Sequence, residues 1–185
     1  MKYSWKNESR GVLIMNDQAM KQLTKTAMMA AIIFVCTYTF KIPNAITGGY
    51  THLGDCAIFI GVMVLGRKQG TIAAAIGAAM SDLLGGFFIW VIPTLIIKGI
   101  MAFVMGTIIE KAMPEKSLNW LVGAIIGGIC QILGYTIAKI ILLTPAAALA
   151  STPTITAQTV IGIIIASVVI SILQSSKVLH RLSAM

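Results

Sequence analysis

The sequence predicts an all-α integral membrane protein, a compact bundle of six transmembrane helices with the N and C termini in the cytoplasm. Of its 185 residues, 57% are hydrophobic and 11% are charged, whereas a soluble domain carries about 25% charged residues. Long apolar runs recur along the whole chain. This distribution indicates several membrane spans rather than a soluble domain with one anchor.

Six apolar runs, separated by polar or turn-forming residues, mark the expected spans. In chain order they cover about 23–40, 53–66, 71–84, a run interrupted near Pro93 and ending near 112, 120–143, and 157–173. Spans two and three have about 14 residues each, or roughly 21 Å at 1.5 Å per residue, which is shorter than the ~30 Å bilayer core. They are therefore either short helices in thinned lipid or a re-entrant hairpin.

These spans form a single expected membrane domain over residues 21–180. A cytoplasmic N-terminal segment over residues 1–20 precedes it, and a short cytoplasmic tail over residues 181–185 follows it. The first 25 residues are polar and basic and lack the apolar core of a cleavable signal peptide, so we expect none.

The basic residues set the expected orientation. With six spans, one side of the membrane receives most of the 14 Lys and Arg residues. That side holds Lys2, Lys6, Arg10, Lys21, Lys25, Arg67, Lys68, Lys111, Lys116, Lys177 and Arg181, and the other holds Lys41, Lys98 and Lys139. The positive-inside rule makes the richer side cytoplasmic. The net charge of +8 is then a topology signal that requires no nucleic-acid partner, and basic residues near the surface also attract membrane lipid.

Asp55, Asp82 and Lys98 are three of the charged residues that lie within the apolar runs. Asp55 begins span two, Asp82 ends span three and Lys98 lies inside span four. A charge near the centre of a spanning helix costs roughly 2.5–3.5 kcal/mol on insertion scales. We therefore expect Lys98 to face the bundle interior near Asp82. The two could hold helices together as an ion pair, line a binding pocket, or do both.

Span five carries a polar stripe. Gln131, Tyr135 and Lys139 follow one another at intervals of four residues, which places them on one helix face. Trp90 and His52 fall near the same outer level, although Trp90 alone fits an interfacial aromatic and His52 alone fits a solvated loop residue. Together with Asp55, Asp82 and Lys98, these residues predict an outward-facing polar and aromatic pocket for a solute.

The chain shows no sign of enzymatic chemistry. It lacks HExxH, GxSxG and P-loop motifs, and its two histidines and three cysteines have no metal-ligand spacing. We expect no catalytic residues, no metal and no cofactor.

In span one, Ala27 and Ala31 form a small-xxx-small pair that permits close approach of another helix, either within the bundle or from another protein.

Two stretches resemble a known family. "THLGDCAIFIGVMVLGRKQGTIAAAIGAAMSDLLGG" and "PTLIIKGIMAFVMG" are similar to the substrate-binding S components of energy-coupling factor (ECF) vitamin transporters, in the branch for hydroxymethylpyrimidine and pyridoxine-like substrates. The shared features are the opening at His52–Asp55, the basic turn at Gly66–Gly70, the helix ending in Asp82, and Thr94, Lys98 and Gly99. Ala27 and Ala31 match the AxxxA motif of the family's first helix.

The resemblance implies a multi-pass protein of the bacterial cytoplasmic membrane. Such a protein captures a small-molecule vitamin in an outer pocket capped by loops, here at about 41–52, 85–93 and 144–156. It then docks on a transmembrane scaffold subunit that carries two ATP-binding cassette ATPases, which alone hydrolyse ATP. Two other readings of the sequence stay open, a self-sufficient gradient-driven transporter or channel and a non-transporting scaffold subunit.

Overall fold

The computed structural model describes residues 5–44, 49–114 and 118–175. Its elements are α1 (Trp5–Thr39), β1 (Lys41–Asn44), β2 (Gly49–His52), α2 (Gly54–Leu84), α3 (Phe88–Thr107), α4 (Asn119–Leu142) and α5 (Pro145–Ser175), with a π-helical turn at Ile108–Ala112 after α3. The predicted tail at 181–185 lies outside the described residues. The described residues are thus mainly helical, as expected, and include one short antiparallel hairpin, β1–β2.

Five helices in the described part are long and apolar enough to cross a membrane. They leave large apolar side chains facing outward, for example Ile92 on α3, Ile125 on α4 and Ile164 on α5, each about half exposed or more. A water-soluble protein rarely exposes apolar surface on this scale, whereas a bilayer solvates it.

Helix α2 is broken at Gly66, whose φ of 78° and ψ of 179° are not helical. Beyond the break the chain folds back, because a Cβ added to Gly70 would lie 2.8 Å from the Cα of Val62. In a straight helix two residues eight positions apart are separated by about 12 Å. The two arms of α2, residues 54–65 and 67–84, therefore form a helical hairpin. Its tip falls within the stretch where the sequence predicts a turn.

Both arms pack on α1. An added Cβ on Gly61 in the first arm or on Gly77 in the second would touch Ile33 of α1, at 3.7 and 3.0 Å. Ile33 is fully buried and belongs to a core that includes Phe59, Met101 and residues of α5. The hairpin therefore brings both ends of α2 to the end of α1 that precedes the β-hairpin.

Three sequence-based boundaries are wrong. The expected loop at 144–156 is helical, because α5 begins at Pro145, a favourable first helical position. Its first turn is capped by Thr144, whose Oγ1 accepts the N–H of Ala147 at 3.1 Å. The expected interruption at Pro93 is also absent, since α3 runs through it from Phe88. In addition, α1 begins at Trp5, upstream of the predicted start at 23, although its membrane-length apolar part is Asp17–Thr39.

The hairpin depends on the absence of a side chain at Gly66. Its backbone conformation is essentially restricted to glycine, and an added Cβ would also lie 3.0 Å from the Glu110 carboxylate. We expect Gly66→Ala to lower the free energy of unfolding by about 1–3 kcal/mol. Gly99→Ala is the matched control, since its Cβ would make an ordinary 3.6 Å contact with Ala75. Thermal unfolding in detergent measures both, and equal melting temperatures would contradict a conformational role for Gly66.

Candidate functional site

A closed triangle of polar side chains occupies the interior of the bundle. The Lys98 ammonium on α3 donates to Asp55 Oδ1 at the start of α2 and to Gln131 Oε1 on α4. Gln131 Nε2 in turn donates to Asp55 Oδ2 at 2.7 Å. All three side chains are fully buried. The triangle ties three helices together and satisfies a positive and a negative charge with each other.

Helix α5 closes the network from a further side. Gln158 Nε2 donates to Asp55 Oδ2 at 3.0 Å, and Gln131 Nε2 lies 2.8 Å from Thr159 Oγ1. Both α5 residues are buried. The sequence-based prediction did not include these two residues. Two adjacent polar side chains, an amide and a hydroxyl, at the start of an apolar run could have indicated that this face of the helix is turned to the bundle interior.

His52 on β2 joins the network through its backbone and its ring. Its N–H donates to Gln158 Oε1 at 3.1 Å, and its Nδ1 accepts the N–H of Gly54 at 3.0 Å. The residue is only 8% exposed, so the solvated alternative is wrong. Burial, which is the largest effect, and the nearby charge of Lys98 lower the pKa of His52 to about 3. The charge of Asp55 has the opposite effect but does not offset them. The imidazole is therefore neutral at physiological pH.

An aromatic layer adjoins the triangle. Tyr135 OH and Thr94 Oγ1 are 2.9 Å apart, and the ring of Tyr135 lies 6.4 Å from that of Trp90, at an interplanar angle of 54°. The Lys98 ammonium is 5.6 Å from the Tyr135 ring centroid, within cation–π range. Trp90 is buried. It therefore belongs to the interior and not to an interfacial belt.

Lys139 lies beyond the aromatic pair. Its ammonium donates to Ser151 Oγ at 2.8 Å and is 5.9 Å from the Trp90 ring centroid. Ser151 is fully buried on α5, in the stretch where the sequence predicts a loop. Lys139 thus shares one face of α4 with Gln131 and Tyr135, as the spacing predicts.

Asp82 does not pair with Lys98, so that part of the sequence-based prediction is wrong. Lys98 is neutralised by Asp55, while Asp82 acts on Lys41, next to the β-hairpin. Burial lowers the pKa of Lys41, and the nearby Asp82 charge raises it. The Lys41 ammonium also donates to the carbonyl of Ser81 at 3.2 Å and lies 4.2 Å from the Tyr38 ring centroid. This second cluster anchors the β-hairpin to the end of α2.

Ala27 and Ala31 are both exposed on α1. Ala31 borders a shallow groove with Phe34, Ile76 and Met80. The pair therefore lies on the outer surface of the helix and away from the polar network.

No group of three His, Cys, Asp or Glu side chains that could hold a metal ion occurs among the described residues.

The comparison with protein families decides what kind of protein carries this site. The model of the ECF-type riboflavin transporter S component matches residues 17–175, which include every element of the network. The chain belongs to this family of S components. It is thus a multi-pass membrane protein that serves a transporter as a substrate-binding subunit and not as an enzyme.

Two individual proteins and one solved structure are similar to this chain. The "Thiamine precursor transporter HmpT" of Lactococcus lactis subsp. cremoris (strain MG1363) is 25% identical over 169 residues, covering 90% of this S component and 96% of that protein. An uncharacterized protein of Pyrococcus woesei is 31% identical over 133 residues, or 72% of this chain and 88% of its own. A solved structure described as the S component of a bacterial ECF transporter has the same fold, with a TM-score of 0.65 at 19% identity, over 86% of this chain and 96% of its own.

The network predicts a specific response to loss of Lys98. Lys98→Met leaves the fully buried Asp55 carboxylate without its counter-ion, and breaking a buried pair in this way costs about 3–5 kcal/mol. Adding Asp55→Asn removes the stranded charge while retaining an acceptor, so the double variant should regain much of the stability. Melting temperatures of the wild type, both single variants and the double variant measure this coupling. Additive losses in the double variant would contradict the pairing.

His52 predicts a pH dependence. The pKa of about 3 in the folded protein lies below the ordinary value of 6.5, so the unfolded chain takes up a proton first as the pH falls. The contribution of His52 to the free energy of unfolding is fully present above pH 6.5. It decreases as the pH falls toward 3, by at most about 1.4 kcal/mol per pH unit. His52→Asn can still accept the Gly54 N–H but does not titrate. Its melting temperature should fall less steeply between pH 6.5 and pH 4, and parallel curves would contradict a buried neutral imidazole.

Proposed function

We propose that this S component captures a small heteroaromatic vitamin or vitamin precursor outside the cell and delivers it to an ECF-type importer. The first candidate substrate is hydroxymethylpyrimidine, and pyridoxine is the second. The observation that carries the proposal is the buried Asp55–Lys98–Gln131 network beside the Trp90 and Tyr135 rings. It combines a carboxylate, an ammonium and an amide, which can form hydrogen bonds, with an aromatic surface on which a polar aromatic ring can stack.

The chemistry of an aminopyrimidine matches these groups. Its exocyclic amine and adjacent ring nitrogen form a donor–acceptor edge that a primary amide such as that of Gln131 pairs with, as Gln pairs with adenine. The carboxylate of Asp55 can accept from the same amine, and Lys98 can donate to a hydroxymethyl oxygen. HmpT, described as a thiamine precursor transporter, supports this choice through its similarity over most of both chains.

The aromatic pair favours a single ring stacked on one face. The two ring centroids are 6.4 Å apart and the planes are tilted by 54°. A heterocycle held between two parallel rings needs roughly 7–8 Å, twice an ordinary contact distance. A ligand stacking on one ring can direct its polar edge into the network. Because the network satisfies its own hydrogen bonds, a ligand must replace every bond that it displaces, which favours specificity for polar groups.

For the whole protein we propose six crossings with cytoplasmic termini. The broken helix α2 supports two short crossings joined at Gly66, and the basic residues at the hairpin tip, Arg67 and Lys68, support a cytoplasmic turn. In this orientation the His52 and Lys139 end of the network faces outward. Ala27 and Ala31 then contact the scaffold subunit that carries the two ATPases.

Titration calorimetry of the purified protein with hydroxymethylpyrimidine, pyridoxine, thiamine and riboflavin tests the substrate assignment. We expect hydroxymethylpyrimidine to bind most tightly. Tyr135→Ala and Lys139→Ala should each weaken binding by about tenfold, through loss of roughly 1–2 kcal/mol of stacking or charge-assisted hydrogen bonding. Tyr38→Ala and Lys68→Ala are matched controls, since Lys68 is exposed at the hairpin and Tyr38 lies in the Lys41 cluster. Tighter binding of riboflavin, or unchanged affinity in both site variants, would defeat the assignment.

The scaffold contact has its own test. Ala31→Trp should abolish uptake by cells that also express the scaffold and ATPases, because a bulky side chain prevents close helix approach. Vitamin affinity of the isolated variant should stay at the wild-type level. Ile125→Trp, on the outward face of α4, is the control for a bulky lipid-facing residue. Equal loss of binding and uptake would assign Ala31 to internal packing, and uptake by the isolated protein in liposomes would favour a self-sufficient transporter.

A further inference from the structure

A large groove lies at the end of the bundle opposite the His52 and Lys139 end of the network. It has a volume of about 750 Å³ and runs between α1, the first arm of α2 and the π-helical turn after α3. None of the proposed vitamin-contacting side chains lines it. It is therefore a separate feature that the vitamin site does not explain.

The groove is amphipathic along its length. Met28 and Ile32 of α1 and Ile60 and Met63 of α2 line its apolar part, while Lys25 lies toward the hairpin end. From Gln22 to Ile32, α1 rises about 15 Å, which is half of the ~30 Å bilayer core. The groove thus matches one leaflet, with polar groups at the level of the headgroups and flexible, polarizable methionines at the level of the acyl chains.

The charge at the polar end is positive. Glu110 also lines the groove, but it accepts the Arg67 backbone N–H at 2.6 Å and lies 3.7 Å from the Arg67 guanidinium. The Gln69 side-chain amide donates a hydrogen bond to the Gln22 side-chain oxygen. Lys25 is only partly exposed and forms no ion pair with any described residue. Among the described residues that line the groove, the Lys25 ammonium is therefore the charge without a counter-ion.

We propose that the groove binds an anionic phospholipid from the leaflet on the hairpin side. The phosphate contacts Lys25 near the Gln22–Gln69 amides, and an acyl chain lies along Met28, Ile32 and Ile60. Basic pockets between transmembrane helices on the cytoplasmic side are typical sites for anionic headgroups. Around α1, at 100° per residue, Lys25, Ile32 and Met28 lie about 140°, 120° and 80° from the centre of the Ala27–Ala31 face, so lipid and scaffold can occupy different sides of the helix.

Native mass spectrometry of the full chain tests this proposal. The protein is released from micelles that contain equal amounts of dioleoyl phosphatidylglycerol and dioleoyl phosphatidylcholine. We expect retention of phosphatidylglycerol over phosphatidylcholine. Lys25→Met should weaken that retention about fivefold, the usual effect of one basic residue near an anionic lipid. Lys111→Met, an exposed lysine that does not line the groove, is the matched control.

A second pair of variants tests the apolar part. Ile32→Trp fills the groove and should reduce retention of the lipid, whereas Ile125→Trp should not. Vitamin affinity and melting temperature verify that each variant is folded. Equal retention of the two lipids, equal effects of Lys25→Met and Lys111→Met, or displacement of the lipid by equimolar inorganic phosphate would overturn the proposal. So would an Ile32→Trp protein that keeps the lipid but no longer assembles with the scaffold, since the scaffold would then be the occupant.

Discussion

The structure depends on one buried ion pair, between Lys98 of α3 and Asp55 of α2. Neither charge could remain alone in the bilayer, because the desolvation cost of a buried ion is several kcal/mol. Each neutralises the other, and Gln131 and Gln158 saturate the remaining positions of the carboxylate. Four helices thereby converge on a single carboxylate, and the same atoms form the floor of the proposed vitamin site. In the proposed function, stability and recognition therefore depend on the same hydrogen bonds.

The helical hairpin is what delivers Asp55 to that position. A straight α2 of 31 residues would rise about 46 Å and carry its two ends to opposite faces of the membrane. The break at Gly66 returns the chain, so that Asp55 enters the interior from the same end at which Lys41 of the β-hairpin donates to the Ser81 carbonyl. The two acidic residues at the ends of this helical hairpin thus differ in surroundings: Asp55 pairs with Lys98 in the network, and the charge of Asp82 raises the pKa of Lys41.

Sequence periodicity predicted the features that a single helix determines. The i, i+4 spacing correctly placed Gln131, Tyr135 and Lys139 on one face, and the insertion cost correctly placed Lys98 in the interior. Periodicity did not predict which side chains on different helices meet, because that depends on how each helix is rotated about its axis. The depth of Lys98 in the membrane alone does not show whether its partner is Asp82 or Asp55. Periodicity also missed Gln158 and Thr159, although both lie in the predicted sixth span, because a helix pattern alone does not show that this face of α5 meets Asp55. Ser151 was missed because the prolines at 145 and 153 suggested a loop where α5 had already begun. The exposure of Ala27 and Ala31 agrees with an interface but does not identify the partner.

The most direct measurement of the central claim is an experimental structure of the protein with its co-purified or added ligand. We expect ligand heteroatoms within hydrogen-bonding distance, about 3.2 Å or less, of Asp55, Lys98 or Gln131, with an aromatic ring against Tyr135 or Trp90. In that structure at least one hydrogen bond of the ligand-free network is replaced by a bond to the ligand. A ligand bound at the Lys41–Asp82 cluster, with the Asp55–Lys98–Gln131 triangle unchanged, would contradict it.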